Sequence, residues 1–197
     1  MVTSAAIIEL DAAIEMRDGV TLYADIYRPN VDGECPVILQ RTPYNKRVAP
    51  AVNVLSAVER GYTVVMQDVR GRFQSEGTFD TFVNEAHDGY DTVEWIADQS
   101  WCNGKVGMVG GSYVGATQWL AASEKPPHLT AIFPRITASD YHEGWTYQGG
   151  VFQLGFNVSW GIRLAADNAD HLGADLGLSD DRIAEMARTV DDIERAF

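Results

Sequence analysis

Residues 106–122 read VGMVGGSYVGATQWLAA and decide the fold. The apolar run that opens this stretch, residues 105–110, predicts a strand buried on both faces, and the residues after Ser112 predict a helix. Residues without a Cβ let a strand and a helix approach closely at a sharp turn, and three glycines surround this serine: Gly110, Gly111 and Gly115. A strand, a turn at serine and a helix form a nucleophile elbow, which lifts the serine hydroxyl out of the fold.

The glycine spacing around the serine departs from the common G-x-S-x-G pattern. Val114 stands two places after Ser112, and the next glycine is Gly115, so the spacing is G-x-S-x-x-G. A Rossmann loop needs G-x-G-x-x-G and a P-loop needs G-K-[ST]; neither pattern is present here. The turn therefore favours a nucleophile over a phosphate-binding loop, with a tightly packed strand–helix turn as the alternative.

The rest of the chain predicts an α/β fold with a mostly parallel sheet. Alternating apolar residues flank an Asp-Gly turn at residues 18–19, which predicts an N-terminal β-hairpin. Four short apolar runs predict buried strands: 36–40, 62–69, 105–110 and 129–136. Helices are predicted near 50–60 and over 84–99, the second with an apolar face of Ala86, Tyr90, Val93 and Ile96–Ala97. No strand is predicted beyond about residue 140.

Composition narrows the classes of partner. The 197 residues carry 15 basic and 28 acidic side chains, a formal net charge of −13. This balance argues against nucleic acid or an anionic membrane as a partner, since both need a basic face. Residues 1–19 have no basic region followed by an apolar run, so they are not expected to act as a signal peptide. No apolar run is long enough to span a bilayer, and a cytoplasmic protein is expected. Cys35 and Cys102 have no metal-ligand spacing and are expected to be reduced, with a disulfide left open.

Acyl transfer by a serine needs more than the serine itself. The hydroxyl is a weak nucleophile, so a base, a group that orients the base, and hydrogen-bond donors for the oxyanion are required. The elbow supplies one donor, the backbone N–H of Tyr113. The loop RTPYNK at 41–46 has no glycine to expose its backbone, and Tyr44 offers a phenol there instead. A packed loop aromatic is the alternative for Tyr44.

Several long motifs in order resemble one enzyme family. They are MRDGVTLYADIYRP, RTPYNK, QDVRGRFQSEG, DGYDTVEWIADQSWCNGKVGMVGGSYVG and ASDYHEGWTYQGG. Together they resemble the cocaine esterase branch of the X-Pro dipeptidyl-peptidase (CocE/NonD) serine hydrolases, to about residue 160. The elbow of that family is G-x-S-Y-x-G, which residues 110–115 match. The resemblance implies an α/β-hydrolase core over 1–140 and the start of a helical cap domain over 141–197.

The resemblance also implies residue roles. Ser112 would be the acylated nucleophile, with Tyr44 and the Tyr113 amide as the oxyanion donors. Trp145 and Trp160 match tryptophans that line the acyl pocket in the family, with a place in the cap core as their alternative. A separate expectation, from the motif QDVRG, is that Asp68 and Arg70 form a buried ion pair that shapes the site.

The triad acid and base are expected outside this chain. Family members run to several hundred residues and place the Asp and then the His after the serine, on strands that return to the sheet beyond the cap. This chain is expected to end inside the cap and to be inactive without the C-terminal remainder of the hydrolase, in the same longer chain or a separate one. The local histidines are poor substitutes: His87, His128, His142 and His171. His142 lies two residues from Asp140, a separation that does not allow triad geometry.

Two classes of function follow from the sequence. The first is a serine hydrolase that cleaves ester, or amide, bonds of a small substrate through an acyl-enzyme, with no metal or organic cofactor. Within it, an X-Pro dipeptidyl-peptidase and an α-amino-acid ester hydrolase or acylase are the alternatives to an esterase. The second is a truncated, non-catalytic chain that only binds a partner or ligand. A homo-oligomer is left open in both.

Overall fold

The first part of the chain is a six-stranded sheet with three helices. The computed structural model describes residues 6–48, 50–172 and 177–191. The chain divides by its contacts into two units, Met1–Ser139 and Asp140–Phe197. The elements of the first unit are β1 (Ile7–Glu15), β2 (Thr21–Arg28), β3 (Cys35–Thr42), α1 (Val54–Glu59), β4 (Thr63–Asp68), α2 (Glu85–Ala97), β5 (Cys102–Gly111), α3 (Tyr113–Ser123) and β6 (Leu129–Arg135).

The strand order is β1-β2-β4-β3-β5-β6. The predicted N-terminal hairpin is present, since β1 pairs with β2 in antiparallel register, and β2 continues antiparallel to β4. From β4 outward the pairing is parallel: β4 with β3, β3 with β5, and β5 with β6. The carboxyl ends of β3 and β5 therefore meet at one edge of the sheet. At the other ends of these strands, Cys35 lies opposite Cys102, and both are buried free thiols.

Two apolar clusters fill the two faces of the sheet. The larger cluster joins inward-facing residues of β1, β2, β3 and β5 to Val93 and Ile96 of α2 and Ala121 of α3. The smaller cluster joins Val64 and Met66 of β4 to α1 on the opposite face. Burial of these side chains stabilises the folded state by about 25 cal/mol for each Å² of apolar surface removed from water. Packing on both faces fixes the parallel strands, and with them the edge of the sheet at which the carboxyl ends of β3 and β5 lie.

The buried side of α2 differs from the predicted one. The predicted apolar face included Ala86 and Tyr90, but both are only half-buried. The buried residues of the helix include three polar side chains, Glu85, Asp88 and Thr92. Glu85 and Asp88 face the buried Arg41 of β3, and Thr92 bonds to Gln67 of β4. The interior side of α2 therefore combines the predicted Val93 and Ile96 with polar groups that a buried charge needs as partners.

The strand at 129–136 is present but not buried as predicted. β6 pairs with β5 along one side only, and Thr130, Ala131 and Phe133 are exposed. Phe133 is 62% exposed and Ile136, just after the strand, is 94% exposed. The apolar run was correctly read as a strand, but within the described residues it is the outer edge of the sheet.

The second unit is helical with a small hairpin. Its elements are β7 (Tyr147–Gln148), β8 (Val151–Phe152), α4 (Leu154–Leu172) and α5 (Asp180–Asp191). The expectation of no strand beyond residue 140 is wrong, because Gly149 and Gly150 both take positive φ and close a two-residue turn between β7 and β8. The side chain of His171 and residues 192–197 lie outside the described residues. None of the helices in the described ranges is long and apolar enough to cross a membrane.

Candidate active site

The turn between β5 and α3 has the geometry of an elbow at Ser112. This residue has φ 57° and ψ −128°, a conformation that costs a non-glycine residue about 1–3 kcal/mol. Its N–H donates to the carbonyl of Arg135 at 2.9 Å, and its own carbonyl accepts the N–H groups of Gly115 and Ala116. The backbone of Ser112 is thus held by β6 on one side and by α3 on the other. Its side chain is left exposed.

Two glycines make this turn possible at close range. Gly110 has φ +147°, and a Cβ there would lie 2.1 Å from Cγ1 of Val114. A Cβ at Gly115 would lie 2.7 Å from Cγ2 of Thr137. The second contact explains the G-x-S-x-x-G spacing, because the helix meets the Thr137 segment at Gly115 and not at Val114. Val114 packs over Gly110 instead.

Tyr113 begins α3 and carries the first backbone N–H after the serine. The first N–H groups of an α-helix point out of its N-terminus, where the helix dipole favours negative charge. The side chain of Tyr113 runs the other way and is fully buried. Its hydroxyl donates to Oε1 of Glu85 at 2.8 Å and accepts the N–H of Phe82 at 3.1 Å. Burial raises the pKa of this phenol well above its ordinary value.

Tyr44 lies at the same edge of the sheet as Ser112. It follows β3, and β3 and β5 are parallel neighbours, so the two residues leave the sheet on the same side. The ring of Tyr44 packs edge-on against the ring of Tyr113, with centroids 6.4 Å apart. Tyr44 is half-buried. The structure therefore brings three of the predicted site residues together: Ser112, Tyr113 and Tyr44.

The loop that carries Tyr44 is held by the last residue of β4 and by residues just after it. We call this set of contacts the Tyr44 clamp: Val69 N–H to the Thr42 carbonyl at 3.0 Å, Nε of Arg72 to the Pro43 carbonyl at 2.9 Å, and Asp68 to Lys46. Both oxygens of Asp68 are used, one by the N–H of Lys46 at 2.7 Å and one by its ammonium at 2.9 Å. The motifs RTPYNK and QDVRGR are therefore one interlocked unit.

The predicted ion pair between Asp68 and Arg70 is wrong, because each side chain has other partners. Asp68 pairs with the buried Lys46, and burial raises the pKa of its carboxyl while Lys46 opposes that shift. Arg70 turns away and binds Asp88 at 2.7 Å and Asp18 at 2.8 Å. Asp68 is the last residue of β4 and Arg70 lies in the turn that follows, so the strand alternation that would place residues i and i+2 on one face does not extend to Arg70.

Behind the elbow lies a buried ion pair that the sequence did not reveal. Arg41 is fully buried, and its Nη1 lies 2.9 Å from Oε2 of Glu85 and donates to the Glu85 carbonyl at 3.0 Å. Its Nε donates to the side chain of Gln67 at 2.7 Å. Burial raises the pKa of Glu85, and the Arg41 charge opposes that shift. The one sequence signal for this ion pair was the position of Arg41 at the start of the RTPYNK motif.

The second unit holds the two predicted pocket tryptophans close together. The rings of Trp145 and Trp160 meet edge-to-face with centroids 6.3 Å apart, and Phe156 packs against both. Trp160 belongs to α4, and Trp145 belongs to the segment before β7. Edge-to-face contacts of this kind are favourable beyond the area they bury. The tryptophans therefore form one aromatic cluster, and a role in binding acyl groups stays a prediction.

The described histidines have local partners of other kinds. Oδ1 of Asp140 accepts the backbone N–H of His142, so this carboxylate closes a turn instead of orienting the imidazole. Nδ1 of His128 lies 2.8 Å from Glu94, just before β6 begins and so at the opposite edge of the sheet from Ser112. His87 is an exposed residue of α2, 3.9 Å from Glu124.

Comparison with known proteins identifies the family. The model of the X-Pro dipeptidyl-peptidase (S15) family matches residues 18–194. The chain belongs to this family. It is 44% identical to the cocaine esterase of Rhodococcus sp. (strain MB1 Bresler), an alignment that covers 75% of the chain. The predicted resemblance is thereby confirmed.

Solved structures of other hydrolases share the fold. A CocE/NonD family hydrolase from Staphylococcus aureus superimposes with a TM-score of 0.80 at 34% identity over 84% of the chain. An α-amino acid ester hydrolase superimposes with a TM-score of 0.66 at 28% identity over 89% of the chain. The predicted α/β-hydrolase fold is confirmed. The chain spans 27% of the length of the cocaine esterase and 34–36% of these two structures.

Proposed function

We propose that this chain carries the nucleophile and the oxyanion hole of a serine ester hydrolase. The observation that carries the proposal is the exposed Ser112 in its strained backbone conformation, directly before the N-terminus of α3. Strain of this kind persists only where the surroundings enforce it, and it is typical of functional sites. Similarity to the Rhodococcus cocaine esterase favours esters over X-Pro peptides and over the α-amino-acid esters named for the structural relative.

The proposed chemistry proceeds through an acyl-enzyme. Oγ of Ser112 forms a bond to the ester carbonyl carbon, the C–O bond to the alcohol breaks, and the serine proton passes through a base to the leaving oxygen. Water then attacks the acyl carbon, the acid is released and the proton returns to Oγ. The Tyr113 N–H and the Tyr44 phenol donate to the carbonyl oxygen while it carries negative charge. Trp145 and Trp160 are proposed to contact the acyl group.

The triad Asp and His are proposed to come from the remainder of the hydrolase. The aligned shares of each chain make these relatives about two and a half to three times as long as this chain. Among the described residues β6 pairs on one side only, and it leaves two apolar residues exposed, Phe133 and Ile136. A strand from the remainder that pairs with β6 would cover both, and its loop would reach the carboxyl edge where Ser112 lies. The chain alone is expected to be inactive.

Covalent labelling tests this function directly. A fluorophosphonate probe phosphonylates an activated serine, so the complete protein is expected to gain one label, on Ser112. Fragment-ion mass spectrometry assigns the labelled residue, because no lysine or arginine separates Ser112 from Ser123 and both lie on one tryptic peptide. The matched control is Ser123, exposed at the end of the same helix, which should stay unlabelled. Labelling elsewhere, or none in a folded complete protein, would reject the nucleophile and favour a non-catalytic, ligand-binding chain.

Tyr44→Phe tests the proposed second oxyanion donor. The variant keeps the ring that packs on Tyr113 and removes one hydroxyl, so kcat on a p-nitrophenyl ester should fall about 10²- to 10³-fold with KM changed by less than about threefold. Steady-state kinetics of the complete protein provide the measurement. Tyr62→Phe, a partly exposed phenol beside α1, is the control. A kcat within threefold of the parent enzyme would assign the second donor to another group.

A further inference from the structure

The side chain of Tyr113 is tied down at its far end. This tyrosine is the residue whose backbone N–H faces the proposed oxyanion, yet its hydroxyl reaches into the interior and meets Oε1 of Glu85 at 2.8 Å. The N–H of Phe82 donates to the same hydroxyl at 3.1 Å, and the Phe82 ring stacks on the tyrosine with centroids 4.6 Å apart. Tyr113 is therefore fixed by directional bonds as well as by packing.

Glu85 is fixed in turn by the central sheet. Its Oε2 lies 2.9 Å from Nη1 of Arg41, and the same nitrogen donates to the Glu85 carbonyl. Arg41 belongs to β3 and also binds Gln67 of β4 through Nε. A rigid path therefore runs from two strands through Arg41 and Glu85 to the phenol of Tyr113. All four side chains on this path are buried.

An apolar residue would fill the same space with less desolvation. Removal of a carboxyl from water is unfavourable, and a buried ion pair is weak evidence for stability because apolar replacements often do as well. The hydrogen bonds of the polar path add a directional constraint that an apolar side chain does not supply. It fixes the angle of the first residue of α3, next to a serine whose φ of 57° is strained and would relax if its neighbours allowed it.

We infer that Glu85 is a positioning residue, which holds the Tyr113 amide toward the oxyanion by binding the Tyr113 phenol. This inference rests on the proposed function, since it assigns a task to the same site. A positioning role and a purely structural role predict different kinetic effects. If Glu85 positions the amide, loss of its bond to Tyr113 should weaken binding of the tetrahedral, negatively charged intermediate and leave substrate binding unchanged.

Tyr113→Phe is the central test, because it removes one oxygen and keeps the ring and the amide. In the complete protein, kcat on a p-nitrophenyl ester is expected to fall about 10- to 100-fold, with KM within about twofold. The Ki of a boronic acid, which forms a tetrahedral anion on the serine, should rise by the same factor. Rates are divided by the sites titrated with fluorophosphonate, so that loss of folded protein does not count. Tyr27→Phe, on the α1 side of the sheet, is the control.

Glu85 variants complete the test. Glu85→Met is expected to match Tyr113→Phe, and the double variant should be no worse than the more impaired single one, since both break the same bond. Glu85→Gln keeps a carbonyl acceptor for the phenol and should recover kcat at least several-fold over Glu85→Met. A Tyr113→Phe enzyme with parental kcat and Ki would overturn the inference alone. Retained turnover in Ser112→Ala would overturn the proposed function, and the inference with it.

Discussion

Ser112→Ala in the complete protein is expected to reduce kcat/KM on a p-nitrophenyl ester by about 10⁴- to 10⁶-fold. Loss of a serine nucleophile has effects of this size elsewhere, and what remains comes from binding and the oxyanion hole alone. The loss should be in kcat, because the hydroxyl takes part in bond formation and contributes little to binding of the intact ester.

Folding is not expected to confound the Ser112→Ala result. Ser112 is exposed, and its carbonyl and N–H make the bonds that hold the turn, so alanine keeps those contacts. The melting temperature should stay within about 2 °C of the parent, in line with surface substitutions. Ser123→Ala is the matched control for the kinetics. An alanine variant with a tenth or more of the parental activity would remove Ser112 from the chemistry.

Arg41→Met should produce the largest loss of stability among the substitutions considered. It leaves the buried Glu85 carboxyl without its cation, while Asp88 keeps Arg70. It also removes the Arg41 donor from Oε1 of Gln67, which then keeps the hydroxyl of Thr92. Removal of one partner from a buried ion pair typically costs about 3–5 kcal/mol. Urea or thermal unfolding of the complete protein measures it. Arg60→Met, an exposed arginine at the end of α1, should cost less than about 0.5 kcal/mol.

The loss in Arg41→Met should grow with pH. Burial raises the pKa of Glu85 above its ordinary value of 4.5, and Arg41 is the main group that opposes this shift. Without Arg41 the folded state holds the Glu85 proton more tightly than the unfolded state does. A group whose pKa is higher in the folded state than in the unfolded state stabilises the fold at pH values below its unfolded-state pKa. That contribution is lost as the pH rises through the folded-state pKa. The deficit should therefore be smaller at pH 5 than at pH 8, and a deficit that narrows toward pH 8 would contradict this account.

The elbow was predictable from sequence because its physical demands are local. A strand, a serine at positive φ and a helix must fit into a few residues, and only glycines at 110 and 115 permit the contacts with Val114 and Thr137. Tyr44 was a weaker case. Its loop had no glycine, and the phenol gained its proposed role from the family resemblance.

The supports of the site were not predictable in the same way. Glu85 looked like one more acid on a polar helix, since nothing near it in sequence says that Arg41 of another element lies opposite. The Asp68–Arg70 pairing failed for a related reason, because its true partner, Lys46, comes from a loop 22 residues earlier in the chain. β6 read as buried because its composition is apolar, whereas exposure depends on which strands flank it.

The Tyr44 clamp bears on how substrate range could be engineered. A mutant library directed at residues 42–46 would return many inactive clones, because Thr42, Pro43 and Lys46 each contact a residue between 68 and 72. A library that varies both segments together can recover compensating pairs, while Tyr44 and its ring contact are left constant. Under the proposed acyl-binding role of Trp145 and Trp160, diversity aimed at the acyl group is directed at the aromatic cluster of Trp145, Phe156 and Trp160.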